Sequence, residues 1–391
     1  MSEWSNVNLA SLLSFGNGKS RPLDSGNIPV YGGNGIMSYV SQSNYDQETI
    51  IIGRVGAYCG ATYYENKPIW ISDNALSAKA IGKNNTKYLY YLLKNLDLNQ
   101  FAEGSSHPLL TQKLLKSVET KAALDPNEQK SIASVLSCLD DKIDLLHRQN
   151  KTLESMAKIL FRQWFIEETQ KDWSSSSFHI WLNDTKGGDW GKEFPTEDFI
   201  YPVQCVRGTD ISDLQNGLPA RTPLRFVKEK KFVNISPENG DIIIEISGGT
   251  ENQSTGRCYF INDEVKMLFK HPVVFSNFCR LLKIKKKEYS YFVYLYLSHL
   301  YENNEMFAFE NGSSGIKNLD YKTMLFTETY RMPPCTLVEK FDEVVKVFFC
   351  KIISNKSKIQ TIKSLRDTLL PKLMSGEVRV QYAEEAIASV A

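Results

Sequence analysis

A few short stretches of this chain contain residue types that can bind phosphate or act on nucleic acids. Gly16-Asn17-Gly18-Lys19-Ser20 resembles the end of a phosphate-binding P-loop. The full motif requires a glycine where this chain has Leu13, and a helix after the lysine, where Arg21-Pro22 follows. A surface loop with a basic tip is therefore the better interpretation of this stretch.

Motifs for DNA methylation or DNA cleavage are incomplete. The adjacent prolines Pro333-Pro334 lack the flanking residues of an adenine methyltransferase tetrad. Glu119-Thr120-Lys121 and Glu264-Val265-Lys266 match only half of a nuclease motif. The five histidines are scattered, and the seven cysteines form no C-x-x-C pair. We therefore expect no catalytic residues, no metal site and no cofactor on this chain.

Polar residues in and beside glycine-containing loops give a more consistent pattern. Arg and Lys side chains pair with guanine edges or phosphates, Asn pairs with adenine, and Ser or Thr contacts phosphates or bases. In the first half of the chain the candidate DNA-binding residues are Lys19, Arg21, Tyr31, Asn34, Arg54, Tyr58, His107 and Lys113. In the second half they are Lys186, Arg207, Thr209, Asp210, Arg221, Ser247, Thr250, Arg257, Ser314 and Lys317. Ordinary solvated loop positions are the alternative interpretation.

Composition is typical of a globular protein. The 391 residues leave room for two or three domains, with 42% hydrophobic and 23% charged residues. The sequence has no apolar run of membrane-spanning length and no signal-peptide pattern, and the odd number of unpaired cysteines is typical of reduced cytoplasmic thiols. A net charge of +1 neither supports nor excludes nucleic-acid binding.

One long helix is predicted from Asp125 to Phe165 to position these loops. Asp125 can cap it, Pro126 suits its first position, and Glu128 completes a capping box. Its heptad-spaced seam is Ile132, Leu136, Leu139, Ile143, Leu146, Asn150, Leu153, Ala157, Leu160 and Trp164. The spacing predicts a helix that packs lengthwise against another helix.

The same seam returns near the C-terminus, starting 209 residues later. It comprises Phe341, Val345, Phe348, Ile352, Asn355, Ile359, Ile362, Arg366, Leu369 and Leu373. This offset indicates an internal duplication, with a domain and a long helix written twice. The predicted fold class is therefore α/β (α+β), with two similar domains and two long antiparallel helices that form a coiled coil.

The predicted boundaries follow from this repeat. They are residues 1–124 for the first domain, 125–168 for the first helix, 169–177 for a serine-rich linker, 178–334 for the second domain, 335–376 for the second helix and 377–391 for a frayed tail. Strands are expected at Thr49–Ile52 and Asp241–Glu245, and an irregular loop at Pro29–Gly35. Lys283 to Lys287 is expected on a solvated edge strand.

Each predicted helix also carries a second apolar set beside its seam. The set is Val135, Cys138 and Met156 on the first helix, and Val344, Val347 and Leu365 on the second. Because the two sets match at the same offset, we expect them to bind two copies of one partner.

Six stretches resemble those of a known family, the DNA-specificity subunits of type I restriction–modification systems. Three belong to the helices: Asp125–Lys130, Leu139–Ile143 and Leu369–Glu377. The other three, Gly187–Lys192, Arg207–Ile211 and Glu245–Gly249, resemble one subclass of the family's target-recognition domains. Together with the order of domains and helices, the resemblance covers nearly the whole chain.

The resemblance implies that each α/β domain is a target-recognition domain reading one half of a split, asymmetric site in double-stranded DNA. The helices would set the gap and bind two methyltransferase subunits, and motor–nuclease subunits would complete the restricting complex. S-adenosylmethionine, ATP and magnesium would belong to those partners. Pro371 departs from the first helix, where Arg162 matches it, so the second helix is expected to bend or end near Leu370.

Two other functions remain as alternatives from the sequence. One is a coiled-coil scaffold whose end domains bind proteins or glycans. The other is a nuclease without a recognisable motif.

Overall fold

A computed structural model describes residues 4–104, 107–216, 222–312 and 317–388. The chain divides into two units, residues 1–143 with 361–391 and residues 144–360. Each unit contains one mixed α/β domain together with a segment of each long helix.

The first domain is built mainly from short strands. Its strands are β1 (Trp4–Asn8), β2 (Leu13–Asn17), β3 (Ile28–Gly32), β4 (Gly35–Val40), β5 (Thr49–Gly53), β6 (Thr62–Glu65), β7 (Trp70–Ile71), β8 (Ala75–Ala80) and β9 (Glu119–Ala123). Its helices are α1 (Leu9–Leu12), α2 (Thr86–Asn95) and α3 (Gln112–Ser117).

The strands of this domain form an antiparallel sheet in the order β2-β8-β5-β6. A second sheet has the order β4-β3-β7, in which β3 runs antiparallel to β4 and parallel to β7. The predicted strand at Thr49–Ile52 is confirmed as β5. Ile50, Ile51 and Ile52 are fully buried, as expected for an interior strand.

The prediction of an irregular loop at Pro29–Gly35 is wrong. β3 and β4 form a hairpin there, which turns at Gly33-Asn34. Gly35 follows the turn with a φ of +83°, a conformation that favours glycine. Val30 and Tyr31 pair with Trp70 and Ile71 of β7, so tertiary pairing outweighs the weak strand propensity of the glycines.

The long helix α4 (Pro126–Arg162) precedes the second domain. The strands there are β10 (Ser174–Ser176), β11 (Leu182–Gly187), β12 (Phe199–Val206), β13 (Leu224–Lys228), β14 (Ile242–Glu245), β15 (Ser247–Gly248), β16 (Cys258–Phe260), β17 (Val273–Phe275), β18 (Cys279–Ile284), β19 (Glu310–Asn311), β20 (Lys317–Leu319) and β21 (Tyr330–Met332). The helices are α5 (Gly208–Gln215), α6 (Glu229–Ile235), α7 (Asp263–Lys266) and α8 (Ser290–Glu302).

Sheet topology repeats between the two domains. The order β11-β18-β14-β16 matches β2-β8-β5-β6, and β13-β12-β17 matches β4-β3-β7 with the same strand directions. The registers agree as well, since Ile242 pairs with Leu282 as Ile50 pairs with Ala78. The duplication inferred from the helices therefore extends to the domains, and the predicted strand at Asp241–Glu245 is confirmed as β14.

The prediction of an edge strand around Lys283 is wrong. β18 lies inside its sheet between β11 and β14. Lys283 is its one basic residue from the lysine cluster, and its ammonium group forms ion pairs with Asp241 at 2.8 Å and Glu238 at 3.1 Å. A lysine on an interior strand is stable here because these carboxylates neutralise it.

The serine-rich stretch predicted as a linker contains regular structure. Ser174–Ser176 forms β10, which pairs antiparallel with β21. The backbone pairing anchors this stretch to the second domain and is independent of side-chain hydrophobicity, which explains why the sequence pattern does not predict it.

The second long helix is α9 (Cys335–Ser375), and a shorter helix, α10 (Val380–Ala388), follows it. The Asp125 carboxylate accepts a hydrogen bond from the Asn127 N–H at 2.9 Å, so Asp125 caps α4 as predicted. A π-helical turn, Gln163–Glu167, continues α4. The predicted seam residues of both helices are buried or half-buried.

The helices run antiparallel in each unit. In the first unit Asp140 pairs with Arg366 at 2.7 Å, and Trp4 contacts both Glu128 near the start of α4 and Gly376 after the end of α9. In the second unit the Asn355 amide donates to Asn150 at 2.9 Å, and Phe161 lies against Phe341. These polar pairs within the seam fix the register of the coiled coil.

Of the two outcomes expected at Pro371, a bend or an end near Leu370, the end does not occur. The helix continues through Pro371 to Ser375, and Gly376 ends it with a φ of +73°. Leu373 and Met374 are buried, so their packing outweighs the backbone hydrogen bond that proline cannot make. The prediction that residues 377–391 form a frayed tail is also wrong in part. The helix α10 forms within this stretch, and its Ala383 is buried.

Candidate nucleic-acid interface

Loops of the first domain bring several predicted DNA-binding residues together. A Cβ placed on Gly53 would lie 2.8 Å from the Gly33 carbonyl oxygen, so the β3–β4 turn abuts the segment that follows β5. The Gly56 N–H donates to the Pro108 carbonyl at 3.1 Å. The loops that carry Asn34, Arg54, Tyr58 and His107 therefore meet at one edge of the domain.

The predicted residues of this domain differ in exposure. Lys19, Arg21, Asn34, Tyr58, His107 and Lys113 are exposed, and Arg54 is half-buried. Lys19 lies beside β7, where its N–H donates to Ile71, and Lys113 lies on α3, which packs against β2. Arg21 lies on its own exposed segment.

Tyr31 and Arg54 have distinct environments. Tyr31 is only 6% exposed, and its hydroxyl donates to Glu65 at 2.6 Å. This low exposure identifies Tyr31 as a core residue, and burial together with the Glu65 carboxylate raises the pKa of its hydroxyl. Among the described residues, the Arg54 Nε has no hydrogen-bond partner although it is buried, which leaves a cationic donor unsatisfied.

The second domain contains a cavity of about 650 Å³. Five predicted DNA-binding residues line it: Arg207, Thr209, Ser247, Thr250 and Arg257. Other lining residues come from the stretches Gly187–Lys192, Arg207–Ile211 and Glu245–Gly249. The three stretches that resemble a subclass of target-recognition domains therefore converge on one site.

A buried ion pair forms part of the cavity wall. Arg257 donates to both carboxylate oxygens of Glu245, at 2.9 Å from Nε and 2.7 Å from a terminal nitrogen. The Glu245 side chain is 2% exposed and the Arg257 side chain 18%. These hydrogen bonds raise the pKa of the Arg257 guanidinium and hold it against the cavity wall.

Two glycines make room for the Glu245 side chain. A Cβ on Gly208 would lie 2.3 Å from a Glu245 carboxylate oxygen, and a Cβ on Gly248 would lie 2.6 Å from it. Gly248 also has a φ of +156°. The glycines in both stretches therefore serve to seat one carboxylate at the cavity wall.

Arg207 and Asp210 cooperate at the start of α5. The Arg207 guanidinium forms two hydrogen bonds with the Asp210 carboxylate, at 2.9 and 2.8 Å. Asp210 also accepts from the Arg207 backbone N–H, which completes a cap of the helix. Because Asp210 is only 2% exposed, its role in the fold is to hold Arg207 at the cavity.

The remaining predicted residues of this domain lie elsewhere. Lys186 pairs with Asp184 on β11, and Lys317 pairs with Glu310 at 2.9 Å. Arg221 and Ser314 lie outside the described residues.

Sequence reasoning missed the cavity residues Trp190, Glu245, Gln253, Asn277 and Phe278. Only Trp190 and Glu245 carried a sequence signal, because both lie within the stretches that resemble the family's target-recognition domains. Asn277 and Phe278 come from the turn between β17 and β18, which no sequence pattern links to the cavity.

The predicted second apolar sets on the long helices are unequal. Met156 is 43% exposed, Val344 40% and Val347 66%, and Cys138 is also exposed. Leu365 is half-buried, and Val135 is only 4% exposed. The expectation that Val135 is open to a partner is wrong, because its side chain is packed within the first unit.

Two further structural findings concern the described residues only. No group of three or more His, Cys, Asp or Glu side chains is placed to hold a metal ion within residues 4–104, 107–216, 222–312 and 317–388. Over the same ranges, every helix is too short or too polar to cross a lipid bilayer.

Comparison with known proteins agrees with this architecture. The family model for the type I restriction modification DNA specificity domain matches residues 1–155. The type I restriction enzyme MjaIX specificity subunit of Methanocaldococcus jannaschii is 27% identical over 324 residues, which cover 76% of this chain and 70% of that protein. The HindI specificity subunit of Haemophilus influenzae is 21% identical, covering 65% and 68%.

A solved structure shares the fold. The crystal structure of a type I restriction–modification S subunit from M. genitalium superposes with a TM-score of 0.63 at 19% identity, and covers 95% of this chain and 96% of that one. The two proteins thus share repeated α/β domains and long antiparallel helices. Residues 1–155 thus match the type I restriction modification DNA specificity domain family, and most of the chain is similar to type I restriction–modification specificity subunits.

Proposed function

We propose that this chain directs a methyltransferase complex to a split DNA site, with each α/β domain reading one half. One observation carries the proposal. The same sheet topology occurs in both domains, but the side chains in the loops beside the sheets differ between them. A repeated scaffold with unlike recognition residues suits an asymmetric, two-part site. Phosphate contacts would position the domains, and contacts with base edges would specify the sequence.

In the first domain, we assign base or phosphate contact to the loops that carry Asn34, Arg54, Tyr58 and His107. Arg54 is half-buried where these loops meet, which supports this assignment. Exposed Lys19, Arg21 and Lys113 would add phosphate contacts, which weaken with rising salt. In the second domain, the residues around the cavity would contact bases, with Lys186 and Lys317 as further candidates elsewhere on the domain.

Exchanging residues 1–124 for the corresponding domain of another family member tests this assignment. Methylation mapping is expected to show a change in one half of the methylated motif only. An unchanged motif, or a change in both halves, contradicts the proposal.

Arg54→Ala gives a sharper test at one residue. We expect it to weaken binding of the methyltransferase complex to its site by about 1–3 kcal/mol and to relax specificity at one base pair. Lys67→Ala, at an exposed lysine outside the recognition loops, is the matched control. Weakening by the same factor on all sequences would assign Arg54 to phosphate contact alone.

We further propose that the paired helices set the number of unread base pairs and bind two methyltransferase subunits. The chain itself would be non-catalytic, and S-adenosylmethionine, ATP and magnesium would bind to the methyltransferase and motor–nuclease partners. The exposed Val344 and Val347 on α9, and Cys138 and Met156 on α4, support a partner surface.

Val347→Asp and Cys138→Asp test the two partner surfaces, because these positions match in the repeat and both are exposed. Each change is expected to lower the ratio of methyltransferase to specificity subunit from two to one in co-purified complexes. Thr152→Asp, at an exposed position on α4, is the control. Retention of both methyltransferase subunits by both variants contradicts this assignment of the surfaces.

A further inference from the structure

The cavity of the second domain has aromatic side chains in its wall. Trp190 lies in the wall, and the Arg225 guanidinium stacks on its ring at 4.4 Å from the ring centre. Arg225 also donates from Nε to the Trp190 carbonyl at 3.1 Å, which holds the indole in place. Phe278 lies in the same wall and is 55% exposed, so its ring is open to a ligand.

The charges in the cavity wall are balanced. Arg257 is paired with Glu245, and Arg207 is paired with Asp210 just behind the wall. Each guanidinium donates two hydrogen bonds to its carboxylate, so neither is a free cation for a phosphate group. The cavity therefore favours a neutral ligand.

Polar groups that can read a planar ligand surround these walls. The side chains of Thr209, Ser247, Gln253 and Asn277 supply both donors and acceptors. A volume of about 650 Å³ lies in the range of pockets that enclose small organic ligands. Aromatic walls with polar groups at the edge are the features by which proteins hold a base removed from its stack.

We propose that this cavity receives one nucleobase that leaves its base pair in the bound DNA. The inference rests on the proposed function, because it assumes that the second domain contacts the duplex. The base would stack on Trp190 or Phe278, and its hydrogen-bonding edge would face the polar side chains. The second domain would then recognise one base pair of its half-site through the extruded base, and the other base pairs through contacts in the DNA groove.

Mismatched duplexes test the inference, because a mismatch lowers the cost of unpairing a base. The methyltransferase complex is titrated with its mapped DNA site, in which each base pair of the half-site read by the second domain is replaced in turn by a mismatch. We expect one position at which a mismatch tightens binding by about tenfold.

Phe278→Ala and Trp190→Ala are expected to remove this gain and to weaken binding of the matched site. Phe278 is largely exposed, so its truncation should leave the fold intact, which thermal unfolding can verify. Phe194→Ala, at a residue 70% exposed and outside the cavity wall, is the matched control and should bind as the wild type does. If no mismatch tightens binding and both cavity variants bind normally, the inference is overturned.

Two further outcomes separate this inference from others. Titration with adenosine, guanosine, cytidine and thymidine, followed by tryptophan fluorescence, detects a free nucleoside in the cavity; such binding without a mismatch effect would overturn the DNA-base assignment. If the wild-type complex shows no sequence-specific binding at all, the proposed function fails. Specific binding that is insensitive to cavity variants and mismatches overturns only the cavity inference.

Discussion

Gly53 in the first domain and Glu245 in the second occupy the same place in equivalent sheets. Gly53 ends β5 opposite Ala75 of β8, and Glu245 ends β14 opposite Cys279 of β18. This position therefore has no side chain in the first domain and a buried carboxylate in the second.

The surroundings of the two residues explain the difference. At Gly53 the loop backbone closes over the sheet, since a Cβ there would lie 2.3 Å from the Tyr58 carbonyl oxygen. At Glu245 the neighbouring residues Gly208 and Gly248 leave space, and Arg257 neutralises the carboxylate. The same position thus lies under loop backbone in the first domain and borders a cavity in the second.

Glu245→Ala is expected to have the largest effect on stability. It leaves Arg257 buried without its partner, which costs about 3–5 kcal/mol of unfolding free energy. Thermal unfolding measures the loss. Asp198→Ala breaks the exposed pair with Lys228 and should cost less than about 1 kcal/mol. Equal losses in the two variants would show that Arg257 does not depend on Glu245.

Val135→Asp and Val344→Asp compare the same place on the two long helices. Val135 is 4% exposed, so a carboxylate there should cost about 3 kcal/mol. Val344 is 40% exposed, and the same change should cost roughly 0.5 kcal/mol. Urea unfolding monitored by helix content measures both values. Similar losses would mean that the repeat is symmetric at this position.

Gly53→Ala tests the closed sheet edge of the first domain. The added methyl group meets backbone oxygens of Tyr58 and Gly33, and the resulting displacement should cost about 1–3 kcal/mol. Gly33→Ala is the control, because its Cβ would have ordinary contacts at 3.6 Å or more. An unchanged free energy of unfolding in Gly53→Ala would show that the loops can make room for a side chain here, as the loops around Glu245 do.

Asp342→Ala is expected to have a small effect on stability, and one that depends on pH. Burial raises the pKa of Asp342 to about 6, whereas Ala133 occupies the matching place on α4. Because the folded state binds this proton more tightly than the unfolded state does, the wild type loses stability as pH rises from about 4 to 6.

The free energy of unfolding of the variant should therefore exceed that of the wild type by on the order of 1 kcal/mol at pH 8, and by less at pH 4.5. Melting temperatures of both proteins at the two pH values measure the difference. A gain that is equal at both pH values would show that the substitution acts through helix propensity and not through the carboxylate.

Much of the fold could be predicted from the sequence. The heptad seams and the Asp125 cap are local patterns, and apolar β5 and β14 are short buried runs; each depends on residues close together in the chain. The pairing of the Pro29–Gly35 stretch with β7, the interior position of Lys283 and the passage of α9 through Pro371 depend on distant partners. Their pairing and packing override local propensity.

The candidate site was predictable only in part for the same reason. Arg207, Ser247 and Arg257 are polar loop residues, whose types alone suggested recognition. The convergence of three separate stretches on one cavity, with Phe278 in its wall, depends on the order of strands in the sheet. Likewise, the matching offset suggested equal partner surfaces, but packing buries Val135 and leaves Val344 exposed.

The sequence by itself determined that one module of domain and helix is present twice, because hydrophobic periodicity and glycine placement are encoded residue by residue. Only the tertiary structure decided how the two copies differ. Burial and electrostatic pairing depend on neighbours distant in the chain, and these set a closed edge at Gly53 and a charged cavity wall at Glu245.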